Sequence, residues 1–127
     1  MTFDVGYPAY IRERGDETYP KEPRQKFYND LNNKTSAKHV PALMYHAKVN
    51  FYTPLTYEGN RDVPTTFLFC NHDASMPFAA QQGMVATVGE GLIRTYSCDG
   101  GHCPMLSMPS MPQAVADLIH DIAVNGV

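Results

Sequence analysis

The pattern of apolar and polar positions changes character near residue 64. Beyond it, Thr65-Thr-Phe-Leu-Phe-Cys70 is a short continuous apolar run rich in β-formers, bounded by Pro64 and by Asn71-His72-Asp73. Such a run reads as a strand buried on both faces, as in a parallel sheet. A helix follows, with Ser75 near its cap, Pro77 in its first turn, and Phe78, Gln81, Val85 and Val88 on one face. Gly89 and Gly91 end it. Residues 92–98 predict a second strand, and Asp99-Gly-Gly101 a tight turn. Ser110-Met-Pro-Gln113 has capping-box spacing at the start of a closing helix. Val115, Leu118, Ile119 and Ile122 form its apolar stripe, and Asn125-Gly126 stops it. Strand, helix, strand, helix at these lengths predicts an α/β architecture, a βαβα unit with a right-handed crossover.

Upstream, regularity is weaker. Residues 1–33 are rich in Pro, Gly, Tyr and charge, with turns or extended segments expected around Gly6-Tyr-Pro8 and Arg14-Gly-Asp16. Pro23 suits a first helical position, predicting a short helix through Phe27, Tyr28 and Leu31 that Asn32-Asn33 closes. A second helical stretch is predicted over 35–48, with Ala37, Val40, Met44 and Ala47 on one face and a kink at Pro41. Residues 49–64 read as a loop or one short turn. The chain thus divides into 1–64 and 65–127.

Composition narrows the function classes. The chain has 127 residues, 43% hydrophobic and 18% charged, with net charge −3 and no Lys/Arg cluster. Neither nucleic acid nor an anionic membrane is an expected partner. No run of 18 apolar residues predicts a membrane-spanning helix, and Met1–Tyr7 does not read as a secretory signal. Cys70, Cys98 and Cys103 are an odd number, read as reduced thiols of a cytoplasmic protein.

Chemistry concentrates at the predicted strand ends. Functional side chains of parallel α/β sheets collect just beyond the carboxyl ends of the strands. Asp73 lies three residues past Cys70, and His102 four past Cys98. Adjacent parallel strands about 4.8 Å apart bring both to one rim. A carboxylate beside an imidazole fixes its tautomer and stabilises the imidazolium, as a general base requires. Gly100-Gly101 lets the backbone turn sharply there and leaves room for a substrate. Spacing alone leaves a plainer alternative open: Asp73 caps the next helix, and His102 is simply exposed.

Phe67-Leu-Phe-Cys-Asn-His-Asp73-Ala-Ser-Met-Pro77 resembles the acid-bearing segment of α/β-hydrolases. Asp99-Gly-Gly-His102-Cys-Pro-Met-Leu-Ser-Met-Pro109 resembles that family's final segment. Upstream, Lys26-Phe-Tyr-Asn-Asp-Leu31 and Tyr52-Thr-Pro-Leu-Thr-Tyr57 are similar to the lid region of small fungal esterase-like members and of plant-type methylesterases and hydroxynitrile lyases. The resemblance implies the C-terminal βαβα part of an α/β-hydrolase sheet at 65–127, with a partial helical lid at 1–64. It implies hydrolysis of a small-molecule ester or acyl compound in specialised metabolism, with Asp73 the acid, His102 the base and no cofactor.

The family's Gly-x-Ser-x-Gly nucleophile elbow has no counterpart in these residues. The chain therefore reads as a truncated hydrolase, or as a non-catalytic paralogue serving as a binding or regulatory subunit. Ser75, Ser107 and Cys103 are the nearby substitute nucleophiles. The apolar edge of Thr65–Cys70 is left unpaired, which predicts a homodimer or a partner chain. A rival reading gathers Cys70, His72, Asp73, Cys98, His102 and Cys103 as metal ligands, although their spacing matches no common zinc pattern. Met105, Met108 and Met111 read as core packing, and His39, His46 and His120 as surface or satisfied residues on helices.

Overall fold

A computed structural model describes residues 8–89, 91–107 and 110–126. The expected turn at Gly6-Tyr-Pro8 and the place of Met108 fall wholly or partly outside them. Strand β1 (Ile11–Arg14) turns into β2 (Glu17–Pro20) through Gly15, whose φ of +62° glycine adopts without strain. The two pair antiparallel, and β2 also pairs with β3 (His46–Ala47). Buried Thr18 stitches that second pair, its hydroxyl donating to the His46 carbonyl at 2.8 Å.

Between β2 and β3 lie helices α1 (Pro23–Phe27) and α2 (Asn33–His39). Asn32 does not close α1; it opens α2, its side chain accepting from the Thr35 amide at 2.8 Å. The helix predicted over 35–48 is shorter than expected. It ends at His39 and passes into a 3₁₀ turn, Val40–Ala42, because Pro41 has no amide hydrogen to continue the ladder. His46 consequently sits in a strand rather than on a helix.

The second half follows the predicted order: β4 (Thr65–Cys70), α3 (Phe78–Val88), β5 (Ile93–Cys98) and α4 (Met111–Asn125). β4 and β5 pair parallel, in register from Thr65↔Ile93 to Cys70↔Cys98. β4 is not buried on both faces as its composition suggested, and β5 is no more enclosed. β4 is half-buried from Thr65 to Phe69, and β5 exposes Arg94, Thr95 and Ser97, because among the described residues the sheet has only two strands. Phe67, Phe69 and Phe78 form one aromatic row tying β4 to α3, with ring centroids 5.1 and 5.2 Å apart.

Two predicted caps are not made. Pro77, not Ser75, precedes α3, and Ser110 makes no side-chain cap on α4, where Gln113 instead bonds Asp117 at 2.7 Å. Of the apolar stripe on α4, Ile119 is exposed and Val115, Leu118 and Ile122 are half-buried. Of the methionines, Met111 is buried and Met105 is exposed.

Gln81, on the face predicted to be apolar, is among the most buried side chains at 3% exposure. Its amide accepts from the Cys70 N–H at 2.9 Å and donates to the Cys70 carbonyl at 3.0 Å and the Met76 carbonyl at 2.9 Å. It thereby substitutes for a strand neighbour at the last residue of β4. Replacing Gln81 with Ala leaves those buried groups unpaired and is expected to cost ~2–4 kcal/mol. Urea denaturation of wild type and Gln81→Ala measures this, and equal midpoints would refute it.

Candidate functional site

The pairing of β4 with β5 runs on past the strands. The Asn71 amide donates to the Cys98 carbonyl at 2.9 Å, and the His72 amide to the Gly100 carbonyl at 3.1 Å. Both chains therefore leave the sheet side by side and at one level. This places Asp73 Oδ2 2.9 Å from His102 Nδ1. Asp73 Oδ1 accepts from the Ser75 and Met76 amides at 2.7 and 2.8 Å. Asp73 does not cap α3, whose N-cap is Pro77; one of its oxygens shapes the turn ahead of that helix and the other meets the imidazole. The carboxylate side chain is 8% exposed and the imidazole 34%. A neutral ring bonded to a carboxylate through Nδ1 carries its proton there, which leaves Nε2 as an acceptor.

The first half of the chain supplies the surroundings. Phe27 stacks on the His102 ring, centroids 5.0 Å apart and planes inclined by 28°. Tyr10 packs edge-on against Phe27 and shares a 2.7 Å hydrogen bond with Ser75 Oγ. Asn29 Nδ2 donates to the His72 carbonyl at 2.8 Å, and Asp30 Oδ2 accepts from the Gly101 amide at 2.6 Å.

These contacts correct the expectation for Gly100-Gly101. Neither residue has a positive φ, and the space beside them holds protein. A Cβ on Gly101 would lie 2.6 Å from Asn29 Oδ1 and 2.8 Å from Asp30 Oδ1, and one on Gly100 would lie 2.9 Å from the Pro104 Cβ. The glycines admit the chain's own first half. Phe27, Asn29 and Asp30 were not singled out as site residues from sequence. The signal available was a polar Asn-Asp pair ending an aromatic segment, together with a glycine pair whose positions need close approach.

The nearby nucleophilic side chains are otherwise engaged. Ser75 Oγ is held by Tyr10, and Ser107, 2% exposed, donates to the Cys103 carbonyl at 3.1 Å. Burial pushes the Cys103 thiol up from its ordinary range, and the carboxylates of Asp30 and Asp73 push it further. Burial, with neighbouring Cys98 adding to it, pushes Cys70 up to about 12. The Cys70 and Cys98 sulfurs are 3.9 Å apart. No group of three or more His, Cys, Asp or Glu residues is placed to hold a metal ion among the described residues. His39 lies against Tyr28, His46 against Phe51, and His120 is exposed on α4. No described helix is long and apolar enough to cross a membrane.

No protein-family model matches the chain. A probable hydrolase from a Phoma species is 31% identical over 98 residues, covering 75% of this chain and 39% of that protein. An alpha/beta hydrolase of Aspergillus novofumigatus is 30% identical over 88 residues, covering 69% of this chain and 35% of that protein. Two crystal structures of the pyrethroid hydrolase PytH superpose with a TM-score of 0.69 at 22% and 24% identity. They cover 90% of this chain and 46% and 47% of theirs. The chain thus spans less than half the length of each of these relatives. In sequence and in fold it is an α/β-hydrolase relative, matching part of that fold.

Proposed function

We propose that this chain supplies the acid and base of an ester- or acyl-hydrolysing site acting on a small molecule, with Asp73 as the acid and His102 as the base. The observation that carries this reading is the 2.9 Å bond between His102 Nδ1 and a nearly buried Asp73 carboxylate just past the ends of two adjacent parallel strands. The hydrolase names of the relatives support the reaction class. In this mechanism Nε2 takes the proton of a serine hydroxyl as its oxygen bonds the substrate carbonyl carbon. Asp73 stabilises the resulting imidazolium, and Nε2 returns the proton to the leaving group as the carbonyl–leaving-group bond breaks. Water, deprotonated by the same nitrogen, then releases the acyl group.

The serine comes from outside the described residues, since none of their hydroxyls bonds to His102. A second reading, a non-catalytic binding or regulatory subunit, is favoured by that same observation. Either role calls for a further polypeptide segment along the open edge of β4, whether of a longer chain, another copy or a partner. The free thiols fit a cytoplasmic setting.

Purified alone and treated with a fluorophosphonate, the chain is expected to gain no mass. In a complex that includes the serine-bearing segment, His102→Ala should slow labelling of that serine by about 10³-fold or more. Equal labelling with and without His102 would sink the acid–base reading. Sedimentation velocity across a hundredfold concentration range should show self-association or capture of a partner; a concentration-independent monomer that melts cooperatively would argue against an open edge. At pH 8, Cys70 should alkylate with iodoacetamide at least about 100-fold more slowly than in urea, and Cys103 should also be slowed. Rates matching the unfolded thiols would reinstate Cys103 as a rival nucleophile.

A further inference from the structure

Two consecutive residues of the first half grip the two strand-end loops, one loop each. Asn29 Nδ2 donates to the carbonyl of His72, the residue immediately before Asp73. Asp30 Oδ2 accepts from the amide of Gly101, the residue immediately before His102. Consecutive Cα atoms are held about 3.8 Å apart by a trans peptide, so this pair is a short ruler of nearly fixed length. A polar donor at one position and an acceptor at the next match the carbonyl and the amide they meet. Phe27, three residues before Asp30, stacks on the His102 ring. One segment thus touches both loops and the imidazole itself.

The glycine beneath this grip fits the same reading. Gly101 is buried, and the place where its Cβ would stand is occupied by Asn29 Oδ1 and by Oδ1 and Cγ of Asp30. Asp30 Oδ1 is itself buried with no hydrogen-bond partner among the described residues. Leaving such an oxygen unpaired is costly. The carboxylate's other oxygen, Oδ2, holds the Gly101 amide at 2.6 Å.

We propose that Asn29 and Asp30 are positioning residues, which set the separation of the Asp73 and His102 loops and so hold Nδ1 against the carboxylate. This rests on the reading of Asp73 and His102 as acid and base, and the experiment separates the two. In ¹⁵N-histidine-labelled chain, a downfield Hδ1 resonance on His102 reports the bond to Asp73, and Asp73→Asn should abolish it. Asp30→Ala and Asn29→Ala should each speed exchange of that proton with water by about tenfold or erase the signal. Asp30→Asn, which keeps an acceptor for the Gly101 amide, should retain it. Gly101→Ala should resemble Asp30→Ala, because its Cβ displaces the same two side chains.

If Asp73→Asn removes the resonance but Asp30→Ala and Asn29→Ala leave it at the wild-type exchange rate, the positioning role is wrong and the acid–base pair stands. If wild type shows no such resonance, both fail together. Should Asp30→Ala not melt cooperatively, Asn29→Ala decides: Asn29 is exposed, so its replacement spares the core, and an unchanged Hδ1 signal in that variant overturns the proposal.

Discussion

The in-register parallel pairing of β4 with β5 is the constraint on which the site depends. Thr65↔Ile93 through Cys70↔Cys98 makes both strands end at one level, and the amides of Asn71 and His72 extend the ladder into the loops. A slip of one residue would send Cys70 to the opposite face and carry the loops out of alignment. With the pairing as it is, an acid three residues beyond one strand and a base four residues beyond the other meet without distortion of either loop. The first half of the chain then closes over this junction, through Asn29 and Asp30 on the loop backbones and through Phe27 and Tyr10 on the side chains of His102 and Ser75.

That explains which parts were legible in the sequence. β4 is a six-residue apolar run between Pro64 and Asn71, so local composition alone delimits it. The meeting of Asp73 and His102 follows from two strand ends and a general rule about parallel sheets. The three-stranded antiparallel sheet is different. β1 and β2 read Ile-Arg-Glu-Arg and Glu-Thr-Tyr-Pro, with no apolar alternation, and β3 is two residues whose partner lies 28 positions away. Its order resides in backbone pairing and one buried threonine, and neither leaves a periodic trace. The helix read through Pro41 failed for a local reason, a missing amide, although its apolar spacing was regular.

The polar grip of Asn29 and Asp30 was illegible for yet another reason. Its bonds span 43 and 71 positions, and each ends on a backbone atom that looks the same for any residue type. The imprint in sequence is confined to the Asn-Asp pair and the glycines at 100 and 101, and a glycine beside a candidate base is as readily taken for substrate room. Space that glycine leaves open is distinguishable from space it yields to the chain only when the long-range neighbour is known. Much of this molecule is organised in that way, with Tyr28, Leu31, Cys70 and Met111 the buried apolar residues among those described.

Gln81 makes the open side of β4 unequal along its length. Backbone groups alternate across a strand, so with Asn71 facing β5 the outward-facing residues are Thr66, Leu68 and Cys70. The amide of Gln81 already occupies Cys70. Along that side the Leu68 carbonyl has the Cys70 thiol 3.9 Å away, and the amide and carbonyl of Cys70 at the rim are both taken by Gln81. The sheet therefore ends at the level of the rim in a side chain that does the work of a backbone, and the last rung of β4 is satisfied within the chain itself.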